Sequence, residues 1–333
     1  MNIGVIGAGS WGTTLAVVLH ENGHAVTLWS YSGSDTETML TTRVNRDYLP
    51  ELRIPSEVLV TDDLGIATQG KDMLVLATPS QFLRGVLVSL RDTAIGAPYI
   101  VNVAKGIENG TLQRMSEVVH DVLPQCSKSR YAVLSGPSHA EEVSARKATT
   151  VVAASSDPDT TQAVQAAFMT PYLRVYGSAD VIGVELGGSL KNVIAIGAGI
   201  CDGAGFGDNS KAALITRGIA EMRRIGIALG AEAHTFAGLS GLGDLIVTTM
   251  SRHSRNRHVG EEIGRGLRLA DILASMKMVA EGVETTRSAR DLALRTGIEM
   301  PITEQMHAML FENKQPADAM AELMTRAARD EVW

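Results

Sequence analysis

Lys191 lies within residues 185–207, among neighbours that give an amine no easy route to water. Val184, Leu186, Leu190, Val193, Ile194, Ile196 and Ile200 leave the stretch almost no polar face. A helix that is apolar all round belongs inside a protein. One turn either way from Lys191 stand Gly187, Gly188, Ile194 and Ala195. Burial lowers a lysine pKa towards the range useful for proton transfer, so Lys191 is a candidate acid–base group. The alternative is a lysine that snorkels to water along its stem. Gly187, Gly188, Gly197 and Gly199 each weaken a helix by roughly 1 kcal/mol relative to Ala. Close approach of another backbone or of a ligand gives a reason to keep them.

Other residues carry chemistry in the same half. Asp244 follows Gly241-Leu242-Gly243, a carboxylate beside flexible backbone that could hold Lys191 or a substrate hydroxyl. A turn Asp bonded to its own backbone is the alternative. Ser251-Arg252-His253-Ser254-Arg255-Asn256-Arg257-His258 gathers three arginines and two histidines in an otherwise acidic chain. The guanidinium fork suits phosphate, although a solvated basic patch has the same composition. As a surface for RNA or DNA the run is too short and lacks interleaved aromatics.

The elements that must position these residues begin at the N-terminus. Residues 2–6 form an apolar strand, Gly7-Ala8-Gly9-Ser10-Trp11-Gly12 follows, and a helix runs through Leu15, Ala16, Val18 and Leu19. Residues 25–29 are the next strand. G-x-G-x-x-G between a strand and a helix is the dinucleotide fingerprint. Gly7 allows the tight turn, Gly9 admits a pyrophosphate to the backbone, and Gly12 lets the helix pack on the strand. The helix N-terminus then offers free N–H groups to the phosphates.

Strand patterns recur at residues 58–61, 73–77, 99–103, 131–135, 149–153 and 173–176, with helical patterns such as 111–122 and 157–168 between them. This alternation predicts an α/β fold with a mainly parallel sheet wound on both faces. Ligands then bind beyond the carboxyl ends of the strands. Four loops fall there. Trp29-Ser30-Tyr31-Ser32 has no acid before Asp35 to take a ribose 2′-hydroxyl and no Arg for a 2′-phosphate. Serines bond either group, so the nucleotide choice stays open, with NADP favoured. Thr78-Pro79-Ser80 begins a helix or approaches the nicotinamide. Lys105, in Lys105-Gly106-Ile107-Glu108, stands in the crevice or on the surface. Ser138 and Glu141, in Gly136-Pro137-Ser138-His139-Ala140-Glu141, have the spacing of a capping box.

After Tyr176 the strand pattern stops. Residues 210–229, 240–250, 258–264, 283–295, 301–312 and 316–328 read as helices. The expected division is residues 1–180 for the dinucleotide and 181–333 for the substrate. A chain of 333 residues accommodates two such domains. A formal charge of −7 argues against a general nucleic-acid binder. Cys126 and Cys201 show no metal-type spacing and fit a reducing compartment. The N-terminus lacks a basic leader, and no run reaches the ~18 apolar residues of a membrane span.

Taken together, GAGSWGTTLA, KGIE, GPSHAEE, ELGGSLKNVIAIGAGICDG, GLGDLIVTTMSRHSRNRHVG and EGVETT resemble the NAD(P)-dependent glycerol-3-phosphate dehydrogenases, in the family's order across most of the chain. The resemblance implies an N-terminal Rossmann doubly wound sheet followed by an all-α domain of the 6-phosphogluconate-dehydrogenase type, in a cytoplasmic homodimer. It implies reversible reduction of dihydroxyacetone phosphate to sn-glycerol 3-phosphate for phospholipid synthesis. Lys191 matches the proton donor and acceptor. Lys105, Gly136, Ser138, Asp244, Ser254, Arg255 and Asn256 match substrate positions, with Asn192 and Thr248 beside them. Ser10, Trp11, Tyr31, Lys105, Ala140, Arg255, Val279 and Glu281 match contacts to NAD or NADP, with Gly7, Gly9 and Gly12 in the loop. Many members place a basic residue where this chain has Tyr31. A hydroxyacid or ketopantoate reductase would share the fold and a helical lysine without needing the arginine run. A non-catalytic nucleotide sensor would need only the glycine loop.

Overall fold

The computed structural model describes residues 1–91, 96, 98–328, 330 and 331. Its strands are β1 (Asn2–Ile6), β2 (Ala25–Trp29), β3 (Val44–Asn45), β4 (Leu49–Arg53), β5 (Leu59–Thr61), β6 (Met73–Leu76), β7 (Tyr99–Asn102), β8 (Tyr131–Ser135), β9 (Thr149–Ala154) and β10 (Leu173–Ser178). The helices interleaved with them are α1 (Ser10–Glu21), α2 (Gly33–Thr42), α3 (Leu64–Thr68), α4 (Ser80–Val88), α5 (Met115–Val122), α6 (Ala140–Ser144) and α7 (Pro158–Phe168). From α8 (Val181–Gly203) onward the described chain is helical: α9 (Asp208–Ala228), α10 (Asp244–Met250), α11 (Arg255–Gly264), α12 (Leu269–Ser275), α13 (Glu281–Thr296), α14 (Pro301–Phe311) and α15 (Pro316–Met324).

Eight strands form one sheet in the order β10-β9-β8-β7-β6-β1-β2-β5. All its pairings are parallel except β8 with β9. The six strands from β5 to β8 have the doubly wound dinucleotide order, whose direction of progress reverses between β1 and β6. β6 and β8 are buried along their whole length, as strands covered on both faces must be. Successive residues feed opposite faces. Val5 and Val75 pack with α1 and α7, whereas Ile6, Leu74 and Leu76 pack with α4 and α5. The two-stranded β3–β4 hairpin stands apart. The sequence pattern did not announce it, because Val44-Asn45 and Leu49-Pro50-Glu51-Leu52-Arg53 offer little apolar alternation.

α8 is the axis of the helical half, buried without a break from Gly183 to Cys201. It begins four residues before the expected start because Asp180 caps it. The Asp180 carboxylate accepts from Gly183 N–H at 2.8 Å, and also from Glu232 N–H and the Thr235 hydroxyl. It ends at Gly203 rather than 207, where Gly205 and Gly207 turn left-handed. The glycines serve close approach. A Cβ on Gly199 would sit 2.0 Å from Arg257 O, and one on Gly260 would sit 1.9 Å from Ile196 O, so α8 and α11 touch backbone to backbone. A Cβ on Gly187 would meet Ser240 O at 2.7 Å. By length and composition α8 is apolar enough to cross a membrane, contrary to the sequence count. In this structure 89% of its apolar window is buried, as in a core helix.

Candidate active site

A cleft of about 890 Å³ runs from the loop after β1, past the ends of β6 and β7, to α8, α10 and α11. Gly7 has φ +123°, and a Cβ there would press on Ala77 O at 2.7 Å. Gly12 allows α1 to sit on that turn, since a Cβ would meet Gly7 O at 1.9 Å. Gly9 differs: a Cβ on it meets nothing within 4 Å. Gly9 is also the N-cap of α1 with no side-chain cap. The first-turn N–H groups of a 12-residue helix therefore face a cleft with room for a pyrophosphate. Ser10, Trp11, Tyr31, Lys105, Ala140, Arg255, Val279 and Glu281 line the same cleft. These features fit a dinucleotide.

At the far end lies a compact charged cluster. Lys191, from α8, is 6% exposed. Its Nζ donates to Asp244 Oδ1 at 2.5 Å and to Thr248 Oγ1 at 2.6 Å. Asp244 opens α10 after a π-helical turn (Leu239–Gly243), and Thr248 follows one turn on, donating to Asp244 O at 2.6 Å. Lys105, just past β7, donates from Nζ to Asp244 Oδ2 at 2.7 Å and to Gly136 O at 3.1 Å. One carboxylate thus holds two ammonium groups. An ammonium has three N–H donors, and two on Lys191 are engaged, which leaves one for the cleft. Burial lowers the Lys191 pKa from 10.5 to about 8, Lys105 adds to that drop, and Asp244 opposes it. Burial pushes the Asp244 carboxyl up, but Lys105 and Lys191 outweigh it and hold the group below its usual range.

The arginine-rich run divides. Arg257 is committed to Asp202 at 2.7 Å and to Glu261 at 3.3 Å, and so braces α11 against α8. Arg255 lines the cleft, exposed and without a side-chain partner among the described residues. Ser254 caps α11, accepting from Arg257 N–H at 3.2 Å. Asn256 accepts from Gly282 N–H at 2.9 Å. Asn192 lines the cleft and reaches Lys105 O at 3.4 Å. Glu281 accepts from Ser80 N–H at 3.0 Å, so α13 caps α4 across the cleft. Of the expected substrate positions only Gly136 lies off the wall, and its carbonyl holds Lys105.

The capping box expected at Ser138 and Glu141 does not form. His139 is the N-cap of α6, and the Ser138 hydroxyl donates to Gly136 O at 3.0 Å instead. Glu185 went unremarked in the sequence. It accepts from Arg114 at 2.8 Å, Ser116 N–H at 2.8 Å and Tyr131 OH at 2.7 Å, locking α8 to α5 and β8. A glutamate inside an apolar helix was the available signal. His139 lines the cleft with its ring 5.9 Å from that of His253, and its Nε2 is buried without a partner among the described residues. Burial and Lys191 lower its pKa.

A dinucleotide cradle joined to a buried, carboxylate-held lysine defines a two-lobed NAD(P)-dependent oxidoreductase. Residues 2–161 match the family described as the N-terminus of NAD-dependent glycerol-3-phosphate dehydrogenase, and residues 180–321 match its C-terminus. The chain belongs to this family. It is 54% identical to a glycerol-3-phosphate dehydrogenase (NAD(P)+) of Syntrophotalea carbinolica, with 100% of each chain covered. A relative of the same name from Chlorobium phaeobacteroides is 52% identical, covering 100% of this chain and 99% of that one. The crystal structure of glycerol-3-phosphate dehydrogenase from Coxiella burnetii superposes with a TM-score of 0.93 at 37% identity, over 98% of this chain and 99% of that one.

Proposed function

We propose that the chain interconverts dihydroxyacetone phosphate and sn-glycerol 3-phosphate with NADPH or NADH, NADPH favoured, and supplies glycerol 3-phosphate for glycerophospholipid synthesis. One observation carries the reading: a buried amine, its pKa brought to about 8, held by Asp244 and Thr248 at the end of a dinucleotide-sized cleft. The names of the relatives support glycerol 3-phosphate as one member of that pair.

The reduced nicotinamide, when bound, supplies a hydride for the substrate C2 carbonyl. Gly7, Gly9, Ser10, Trp11 and Gly12 would hold the pyrophosphate; Tyr31, Lys105, Ala140, Arg255, Val279 and Glu281 would flank the rest. Lys191 donates its remaining N–H to the carbonyl oxygen, stabilises the charge that grows there, and releases its proton to that oxygen. In the oxidative direction the neutral amine takes the hydroxyl proton back. Asp244 and Thr248 fix the amine in place. Lys105 adds a second positive charge and helps keep the Lys191 pKa low. Arg255, with Ser254 and Asn256 beside it, receives the substrate phosphate and sets the distance for transfer. In this reading residues 1–180 carry the dinucleotide and 181–333 the substrate, and the protein acts as a cytoplasmic homodimer.

Lys191→Ala tests the assignment. Dinucleotide binding should persist while kcat falls by about 10³-fold or more, since both charge stabilisation and the proton donor are lost. Near-wild-type turnover would refute it.

A further inference from the structure

One cation of the cleft wall, Lys277, has no role in the reading above. The loop after β2 is where a doubly wound sheet meets the group on the ribose 2′ carbon. Residues 30–35 hold no cation. The second lobe supplies one. Lys277, between α12 and α13, lines the cleft together with Tyr31, Ser32, Asp35 and Tyr48. Its Nζ is ion-paired with Asp47 Oδ1 at 2.7 Å, from the turn of the β3–β4 hairpin 230 residues away. The Lys277 side chain is 73% exposed and that of Asp47 50%, so this pair is weakly held and easily exchanged. Of the three other cations on the cleft wall, Lys105 and Lys191 share Asp244, and Arg255 stands at the start of α11 beside Ser254 and Asn256.

We propose that Lys277 is the cofactor-specificity residue: it leaves Asp47 for the 2′-phosphate of NADP. A phosphate monoester carries nearly two charges and three acceptor oxygens, so it outcompetes a single exposed carboxylate for the amine. The hydroxyl of NAD gives Lys277 no reason to exchange partners, and Asp35 remains to accept from that hydroxyl. The absence of a base at Tyr31 is thus compensated across the cleft.

The inference rests on the dinucleotide reading above, and equilibrium binding separates the two. Full-length protein is titrated with NADP+, NAD+, 2′,5′-ADP and 5′-AMP, following the fluorescence of Trp11 and Trp29 on the cleft wall. Lys277→Gln should weaken NADP+ and 2′,5′-ADP by roughly tenfold and leave NAD+ and 5′-AMP within about twofold. Asp47→Asn should tighten NADP+ by about twofold to threefold, because the competing carboxylate is gone. Equal effects on phosphorylated and unphosphorylated ligands, or no effect, overturn the role of Lys277. If the wild-type protein binds neither dinucleotide, the underlying reading falls and this inference with it.

Discussion

Asp244→Asn isolates the electrostatic part of the site. The substitution keeps an oxygen for the Lys191 amine and removes the charge that opposes burial and Lys105. At an effective dielectric of about 20 and about 4 Å between charge centres, the lost attraction is roughly 4 kcal/mol, an upper bound. Entry of water and the retained amide hydrogen bond reduce this to about 2–3 kcal/mol, or about two pH units at 1.36 kcal/mol each. The wild-type amine titrates at about 8, so the variant should titrate at about 6. In the proposed mechanism reduction needs the protonated amine and is lost as pH rises through its pKa. At pH 7 its protonated fraction should fall from about 90% to about 10%, a roughly tenfold loss that is recovered towards pH 5. Oxidation needs the neutral amine, so its rise with pH should begin about two units earlier. The assay is kcat/KM against pH in both directions, which reports the free enzyme. An inflection that stays near 8 in the variant would show that Asp244 does not set the charge of Lys191.

Arg255→Ala should raise KM for dihydroxyacetone phosphate by about 30–100-fold and leave unphosphorylated dihydroxyacetone nearly unaffected, the signature of a lost charge-assisted phosphate contact. Equal losses for both would remove Arg255 from that role. Gly9→Ala points into open space and Gly12→Ala into the Gly7 carbonyl. The first should keep the wild-type Tm and weaken dinucleotide binding, whereas the second should unfold several degrees earlier, as overpacking costs typically 1–3 kcal/mol. Glu221, buried against the N-terminus of α14 where it accepts from Ile302 N–H at 2.6 Å, has its pKa raised by burial from 4.5 to about 7. The native chain then holds the extra proton between those values, so stability falls as pH rises from about 4.5 to 7. Tm measured across that window should decline in the wild type and flatten in Glu221→Gln.

The sheet was legible because strands buried on both faces become unbroken apolar runs, as in Met73-Leu74-Val75-Leu76. What stayed hidden was tertiary. Thr149–Ala154 reads like its neighbours, yet it runs antiparallel to β8, a matter of connection rather than composition. α12 escaped notice because only Ile272 of its seven residues is buried. In the site, the residue types of Lys191 and Asp244 were readable, but not that Asp244 is shared with Lys105 from a different lobe. The run from Ser251 to His258 looked like one basic patch. Its parts have different partners, because Arg257 faces α8 and Asp202 while Arg255 faces the cleft. Ser138 misled because its hydroxyl finds the Gly136 carbonyl sooner than the helix that follows.

A lysine held for its chemistry should weaken the fold that holds it. The Lys191 pKa falls from 10.5 to about 8 mainly through burial. Between those values the unfolded chain binds more protons than the native one, so stability rises with pH across the window. At 1.36 kcal/mol per pH unit the penalty is about 3 kcal/mol, present in full below about pH 8. Lys191→Met keeps the apolar stem and removes the charge, and Asp244 retains Lys105 at 2.7 Å as its counter-ion. The variant should therefore be inactive yet melt about 3–6 °C higher at pH 7, allowing roughly 1–2 °C per kcal/mol in a chain of 333 residues. That advantage should shrink as pH rises from 8 to 10.5. Were Lys191→Met no more stable than the wild type at pH 7, the amine would not be strained by its surroundings, and a lowered pKa could no longer support the proposed role as an acid near neutrality.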